Sequence, residues 1–241
     1  MIRITNYLEK KLQEIGIYNL KELDEIGFIQ AFSLIKNKFP SVTFNLLYEL
    51  FCLLNNISFS DLTKEMKQKL IIEYKKQPPQ YAMPDSMLIE KYLNCALELA
   101  MIAYEEQEIP IGAVIVYNNQ IIGQGYNQTR QYNDILAHAE IQAIRKAQEY
   151  LGNFRLNQCD LFVTVEPCVM CSGAIINSRI KRVVFGANEP KTGACISQYK
   201  IFENKAVNSH CQQIGPINQH KYGQLMQDFF RGKKSTNPLN T

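Results

Sequence analysis

Three prolines within seven residues, Pro78, Pro79 and Pro84, divide the chain into two parts of different texture. Proline has no N–H to give to a helix or a sheet and restricts the residue before it, so no regular element runs through such a stretch. The sequence therefore reads as residues 1–77, a proline-rich linker at 78–84, and residues 85–241. A length of 241 residues suits one ordinary domain and a small one.

Residues 1–77 carry helical spacing. Ile4, Leu8, Leu12 and Ile15 recur at helix intervals, and Gly16 ends the run. Asn19, with Glu22 three residues on, has the pattern of an N-cap and its capping-box partner, opening a short helix through Ile26. Further helices are predicted over 28–36 and over 44–54, the latter apolar on most sides and so buried. A long polar helix capped by Ser60 or Asp61 ends near Lys76. No strand pattern occurs, so this part is expected to be an all-helical module of about five helices.

After the break the periodicity changes. A helix starting at Asp85 or Ser86 carries Leu88, Tyr92, Cys95 and Leu99 on one stripe. The run 111–117 is of strand type, and Asn118-Asn119 makes a hairpin turn into 120–126. A helix is predicted over 137–150, a strand over 161–165, a helix over 168–178 and a strand over 182–186. Strands alternating with helices imply an α/β domain with a central sheet and parallel pairings. Active sites of such sheets lie at the carboxyl ends of strands.

Hydrophobic residues make up 46% and charged residues 20%, the profile of a globular protein. No stretch reaches the ~20 apolar residues of a membrane span, and the first residues lack a signal-peptide core. We expect a cytoplasmic protein with no membrane partner. Net charge is +3, which neither demands nor excludes nucleic acid, since clustering decides. The last basic run, Arg231-Gly232-Lys233-Lys234, reads as a solvated tail. Seven cysteines without an export signal suit metal or core roles rather than disulfides. Cys52, Cys95, Cys159, Cys195 and Cys211 read as packing residues; Cys168 and Cys171 do not.

His138-Ala139-Glu140 stands at a predicted helix start, and Pro167-Cys168-Val169-Met170-Cys171 follows 28 residues later where a strand turns into a helix. One imidazole and two thiolates suit zinc, and three protein ligands leave a fourth position for water, the catalytic arrangement. Two cysteines three apart straddle one helical turn and reach a common ion. The partial positive charge of a helix N-terminus favours thiolate. Pro167 fits the helix start, where a missing N–H costs little. Residues two apart on an ideal helix point about 200° apart, so Glu140 is expected beside the ion and not on it. Zinc brings the pKa of a bound water to roughly 7; Glu140 is then the general base that takes its proton and the acid that returns protons to a ring nitrogen and to departing ammonia. A lone CxxC is common in structural and redox sites; the ordered pair is far more specific and matches a known signature of zinc nucleobase deaminases.

Residues from about 86 to 234 resemble the bacterial tRNA-specific adenosine deaminases of the cytidine/deoxycytidylate deaminase superfamily. The resemblance runs through Ile109-Pro110-Ile111-Gly112-Ala113-Val114, Gly125-Tyr126-Asn127, His138-Ala139-Glu140, 164–174, Ser178-Arg179-Ile180, Val184-Phe185-Gly186-Ala187, Lys191-Thr192-Gly193-Ala194 and Asp228-Phe229-Phe230-Arg231. It implies a three-layer α/β/α domain with a five-stranded mixed sheet. It implies one Zn2+ per subunit held by His138, Cys168 and Cys171, with Glu140 catalytic, and a homodimer. The implied reaction is hydrolysis of adenosine to inosine at the wobble position of an arginine tRNA with an ACG anticodon, bound by its anticodon stem-loop. Asn127 and Ile109 would contact the flipped base, Lys191 the loop backbone, and Phe230 would stack on or wall the RNA site. Three positions depart from the family pattern: Ile135-Leu136 before His138, Glu189 before Lys191, and Ser209 within Asn208-Ser209-His210. Residues 1–77 are foreign to those enzymes. Segments 15–27 and 45–50 resemble the C-terminal domain of the competence regulator TfoX, and 15–27 is also similar to a helix-hairpin-helix, with Tyr18 in place of the usual second glycine.

Two other functions fit parts of this pattern: a deaminase of a free nucleobase or nucleotide, such as guanine or dCMP, and a non-catalytic RNA- or protein-binding regulator with structural zinc. The Lys191 loop and the Phe229-Phe230-Arg231 end argue against the first. Glu140 argues against the second, because a closed structural site has no use for a carboxylate beside an open position.

Overall fold

The computed structural model describes residues 5–76, 81, 83–204, 206, 207 and 209–235, with side chains to Gly232. Ile4, Pro78, Pro79, Asn208 and the side chains of Lys233 and Lys234 thus lie outside the described residues. The chain forms two compact units, Met1–Met83 and Pro84–Thr241.

The first unit holds helices α1 (Asn6–Gln13), α2 (Leu20–Ile26), α3 (Phe28–Lys38), α4 (Phe44–Asn55) and α5 (Lys64–Lys76). Leu8, Leu12, Leu23, Phe32, Ile35, Leu46, Leu47, Leu50 and Leu70 meet in one core, to which α4 contributes most. Asn19 Oδ1 accepts from Glu22 N at 3.0 Å, the predicted cap. The polar helix starts later than predicted: Phe59–Asp61 is a 3-10 turn, and Thr63 Oγ1 caps α5 by accepting from Met66 N at 3.2 Å. Glu22 in turn accepts from Tyr18 N at 2.7 Å and from Asn19 Nδ2 at 2.6 Å, completing the predicted cap.

The second unit is α6 (Ser86–Glu105), β1 (Gly112–Tyr117), β2 (Gln120–Tyr126), α7 (Ala139–Leu151), β3 (Asp160–Val165), α8 (Val169–Asn177), β4 (Arg182–Ala187), β5 (Gln212–Ile214) and α9 (Gln219–Ser235). The strand order is β2-β1-β3-β4-β5. β1 pairs antiparallel with β2 and β3, while β3, β4 and β5 run parallel, so the sheet is mixed. Asn118 and Asn119 both have positive φ, 47° and 60°, as a type I′ hairpin demands. Alternate residues of β1 face opposite layers. Ala113 and Ile115 pack with Ala139, Ala143 and Ile175 of α7 and α8; Val114 and Val116 pack with Ile89, Leu93 and Tyr222 of α6 and α9. This is the three-layer α/β/α architecture.

The apolar stripe of α6 shares Tyr92 with the predicted one but is turned from it. Its buried residues are Ile89, Tyr92, Leu93, Ala96, Ala100 and Ala103, with Leu88, Cys95 and Leu99 at the margin. The reason is close approach: a Cβ on Gly112 would lie 2.0 Å from Ala96 O and 2.6 Å from Ala100 N, so the helix lies backbone to backbone on β1. The basic run begins within a helix, with Arg231 and Gly232 exposed on it. α9 continues through Ser235, and Arg231 lies 3.9 Å from Asp228 one turn back.

Candidate active site

The strand directions gather the site. The start of β1 pairs with the end of β2, Gly112 opposite Tyr126, and Ala113 lies opposite Val163 near the end of β3. Residues just before β1, just after β2, and just after the parallel β3 and β4 therefore meet at one edge of the sheet. Ile109, Asn127, Glu166 with Cys168, and Asn188 with Lys191 are those residues.

His138 and Cys168 are not the first residues of their helices but the N-caps, both with extended backbone (φ −78°, ψ 153° and φ −74°, ψ 175°). The extended turn at His138 removes the half-turn separation of a regular helix, so its ring and the Glu140 carboxylate serve one site. His138 Nδ1 lies 3.8 Å from Cys168 Sγ and 3.5 Å from Cys171 Sγ. Two donors of a tetrahedral ion at zinc bond lengths stand about 3.6 Å apart. The three donor atoms lie within 4.8 Å of one another and form the only such group among the described residues. One imidazole nitrogen and two sulfurs in this spacing fit zinc, and Glu140 is not of the set.

Of the two sulfurs, Cys168 is the one poised to lose its proton. The Cys168 thiol is pulled down to about 4, first by the hydrogen bond from Cys171, with a further one to His138, against the effect of burial. Cys171 is pushed up by that same bond and by burial. The bond to Cys168 raises the pKa of His138. Glu140 is 3% exposed, and burial first, then the nearby Cys168 charge, pushes its carboxyl upward. Its Oε2 is buried with no hydrogen-bond partner.

These residues open on a cavity of about 600 Å³. Ile109, Asn127, His138, Glu140, Cys168, Lys191 and Phe230 line it; Cys171 is buried behind it. Asn127 is 1% exposed, and its Oδ1 accepts from Ala139 N at 2.8 Å. Lys191 is exposed on the loop after β4. The two terminal aromatics divide: Phe229 is buried, with its ring 5.8 Å from that of Tyr104, while Phe230 is 46% exposed at the cavity. Glu189 Oε1 accepts from Lys191 N at 2.9 Å, Ile135 is 81% exposed, and Ser209 is half-buried.

Sequence reading missed two buried carboxylates at this edge. Glu108 accepts from Arg130 N and Gln131 N, both at 2.8 Å, and from Thr129 Oγ1 at 3.2 Å, holding the loop that leads to His138. Glu166 accepts from Glu189 N at 3.1 Å, Cys195 N at 2.9 Å, Ile196 N at 2.7 Å, Ser197 N at 2.9 Å and from Ser197 Oγ. Burial raises the Glu166 pKa, but these bonds outweigh it and hold the carboxyl below its usual range. A glutamate beside Pro167-Cys168 was the available signal; its partners, some thirty residues away in sequence, were not. Gln219, Met226 and Gln227 of α9 also line the cavity and carried no motif.

Residues 88–234 match the family model of the MafB19-like deaminases, and residues 3–74 match the TfoX C-terminal domain. A tRNA-specific adenosine deaminase of Agrobacterium fabrum is 40% identical over 143 residues, covering 59% of this chain and 94% of that protein. One of Haemophilus influenzae is 42% identical over 146 residues, covering 60% and 84%. A solved structure from work on A-to-I editing by tRNA:A34 deaminases superposes with TM-score 0.55 at 39% identity, covering 56% of this chain and 99% of that one. A guanine deaminase of Nitrosomonas europaea shares the fold with TM-score 0.50 at 22% identity, covering 58% and 83%. With more than half of its length matched, the chain belongs to the MafB19-like deaminase family and groups there with the tRNA-specific adenosine deaminases.

Proposed function

We propose that the protein hydrolyses adenosine to inosine in RNA, at the wobble position of an arginine tRNA with an ACG anticodon. The observation that carries this is the pairing of a His-Cys-Cys set with a buried, half-unpartnered Glu140 on the floor of one cavity, in a chain grouped with enzymes of that name. His138, Cys168 and Cys171 would hold one Zn2+, whose Lewis acidity brings a water to a pKa near 7. Glu140 is the proton carrier. Its Oε2, without a partner, would take the proton from the attacking water and deliver protons to the purine ring nitrogen and to the ammonia that leaves.

The other residues orient the base. Asn127 Oδ1 accepts from Ala139 N–H, which fixes the amide and leaves its N–H2 to reach the cavity it lines. Its N–H2 would donate to a ring acceptor such as a purine nitrogen. Ile109 packs on the ring face, and Phe230 stacks at the mouth. Lys191 meets the phosphates of the anticodon loop, a task that needs only positive charge. The reading extends to a homodimer acting in the cytoplasm; no helix among the described residues is long and apolar enough to cross a membrane.

The test is inosine formation in that tRNA by the zinc-loaded full chain, with free guanine and dCMP as competitors. Inosine at the first anticodon position bears the proposal out. Faster turnover of guanine or dCMP than of tRNA replaces it with a free-nucleotide deaminase. No deamination at all leaves a binding protein with structural zinc.

A further inference from the structure

Glu166 is 3% exposed and stands in the wall of the cavity, and every donor it serves belongs to one loop. Three successive amides, Cys195, Ile196 and Ser197, converge on Oε1, the form of an anion nest. Glu189 N and the Ser197 hydroxyl take Oε2. The same loop is tied to the ligand turn from the other side, where Ala194 N donates to Pro167 O at 2.8 Å and Gly193 bridges Cys168. A Cβ on Gly193 would stand 2.4 Å from Glu166 Oε2, so carboxylate and glycine fit only as a pair. Between these anchors the chain bulges outward as Pro190, Lys191 and Thr192, which wall the cavity.

We propose that Glu166 is a positioning residue for substrate: one buried carboxylate fixes where the wall 190–192 stands relative to the turn Pro167-Cys168, and so sets RNA affinity without joining the chemistry. The proposal rests on the deaminase reading above. Five donors meet two carboxylate oxygens, which accept only. The isosteric amide of Glu166→Gln would turn one end from acceptor to donor and face N–H against N–H. No volume is lost, so the defect is confined to the hydrogen bonds and the loop they hold.

The experiment compares the zinc-containing full chain with Glu166→Gln in three measurements: zinc per chain, amide hydrogen exchange at 195–197, and KM and kcat on an anticodon stem-loop. The expected result is unchanged zinc, exchange at 195–197 faster by about tenfold or more with α7 and β3 unaffected, and KM raised about tenfold with kcat within about threefold. Gly193→Ala, whose methyl group would meet both Glu166 Oε2 and the main-chain Glu189 O, displaces the same loop and should also raise KM with zinc unchanged. Should Glu166→Gln fail to fold, Ser197→Ala removes a single donor, with KM expected to rise about threefold. Unchanged protection at 195–197, or lost zinc and kcat at constant KM, overturns the proposal. Wild-type protein that deaminates no RNA would sink the functional reading instead, and the exchange measurement alone then decides whether Glu166 anchors the loop.

Discussion

At His138 the backbone is extended, and the consequence falls on Glu140. A helical His138 would have aimed its ring about half a turn from that carboxylate. As an N-cap it turns toward Cys168 and Cys171 and leaves Glu140 Oε2 buried and unpartnered beside them. A buried acceptor without a donor is a destabilising feature, retained where chemistry needs it. Glu140→Ala is therefore expected to lower kcat by about 10²–10⁴-fold while zinc stays at one per chain, measured by inosine formation and metal analysis. Loss of the zinc along with the activity would instead make Glu140 part of the metal set. Asn127 separates two roles that Asn127→Ala would confound. Asn127→Asp keeps an acceptor for Ala139 N and removes the donor to the base. Its kcat/KM should fall about tenfold to a hundredfold with thermal stability nearly unchanged, whereas Asn127→Ala should lose both.

Packing between elements depends on how closely backbones approach, which sequence patterns register poorly. The stripe read on α6 followed its larger residues, Leu88 and Leu99, because alanines carry a weak apolar signal. The face that meets β1 is built of Ala96, Ala100 and Ala103, since Gly112 brings the strand within backbone contact. Gly112→Ala should lower stability by about 1–3 kcal/mol or more by thermal denaturation, because the atoms it meets are main chain and cannot swing away. Gly173, inside α8 with nothing within 4 Å of where a methyl group would stand, is the control: Gly173→Ala should stabilise by about 0.5–1 kcal/mol. Strands β1 to β4 and the hairpin at Asn118-Asn119 were legible, as β-branched runs and turn residues are local signals. β5 was not: it is three residues long with two glutamines, and its place is set by pairing with β4. The His-Cys-Cys set was legible because its spacing is local to two helix starts. Glu108 and Glu166 were not, since a charged side chain is read as exposed unless its distant amide partners are known.

The two compact units have separate cores, Leu8 to Leu70 in the first and the faces of the sheet in the second. The candidate metal ligands all lie in the second, where they join the start of α7 to the start of α8. A metal that binds only the folded site adds to the stability of the unit that forms it. At free zinc a hundredfold above its dissociation constant that contribution is about 2.7 kcal/mol, worth about 5–10 °C in a unit of this size. The full chain is expected to show two melting transitions, the first assigned by matching it to residues 1–83 expressed alone. Chelation should lower the deaminase transition by that interval and leave the helical one where it stands. A helical transition that falls in step with the other would mean that metal binding is linked to the folding of both units. A deaminase transition that does not move would mean that the three residues hold no metal of consequence for the fold.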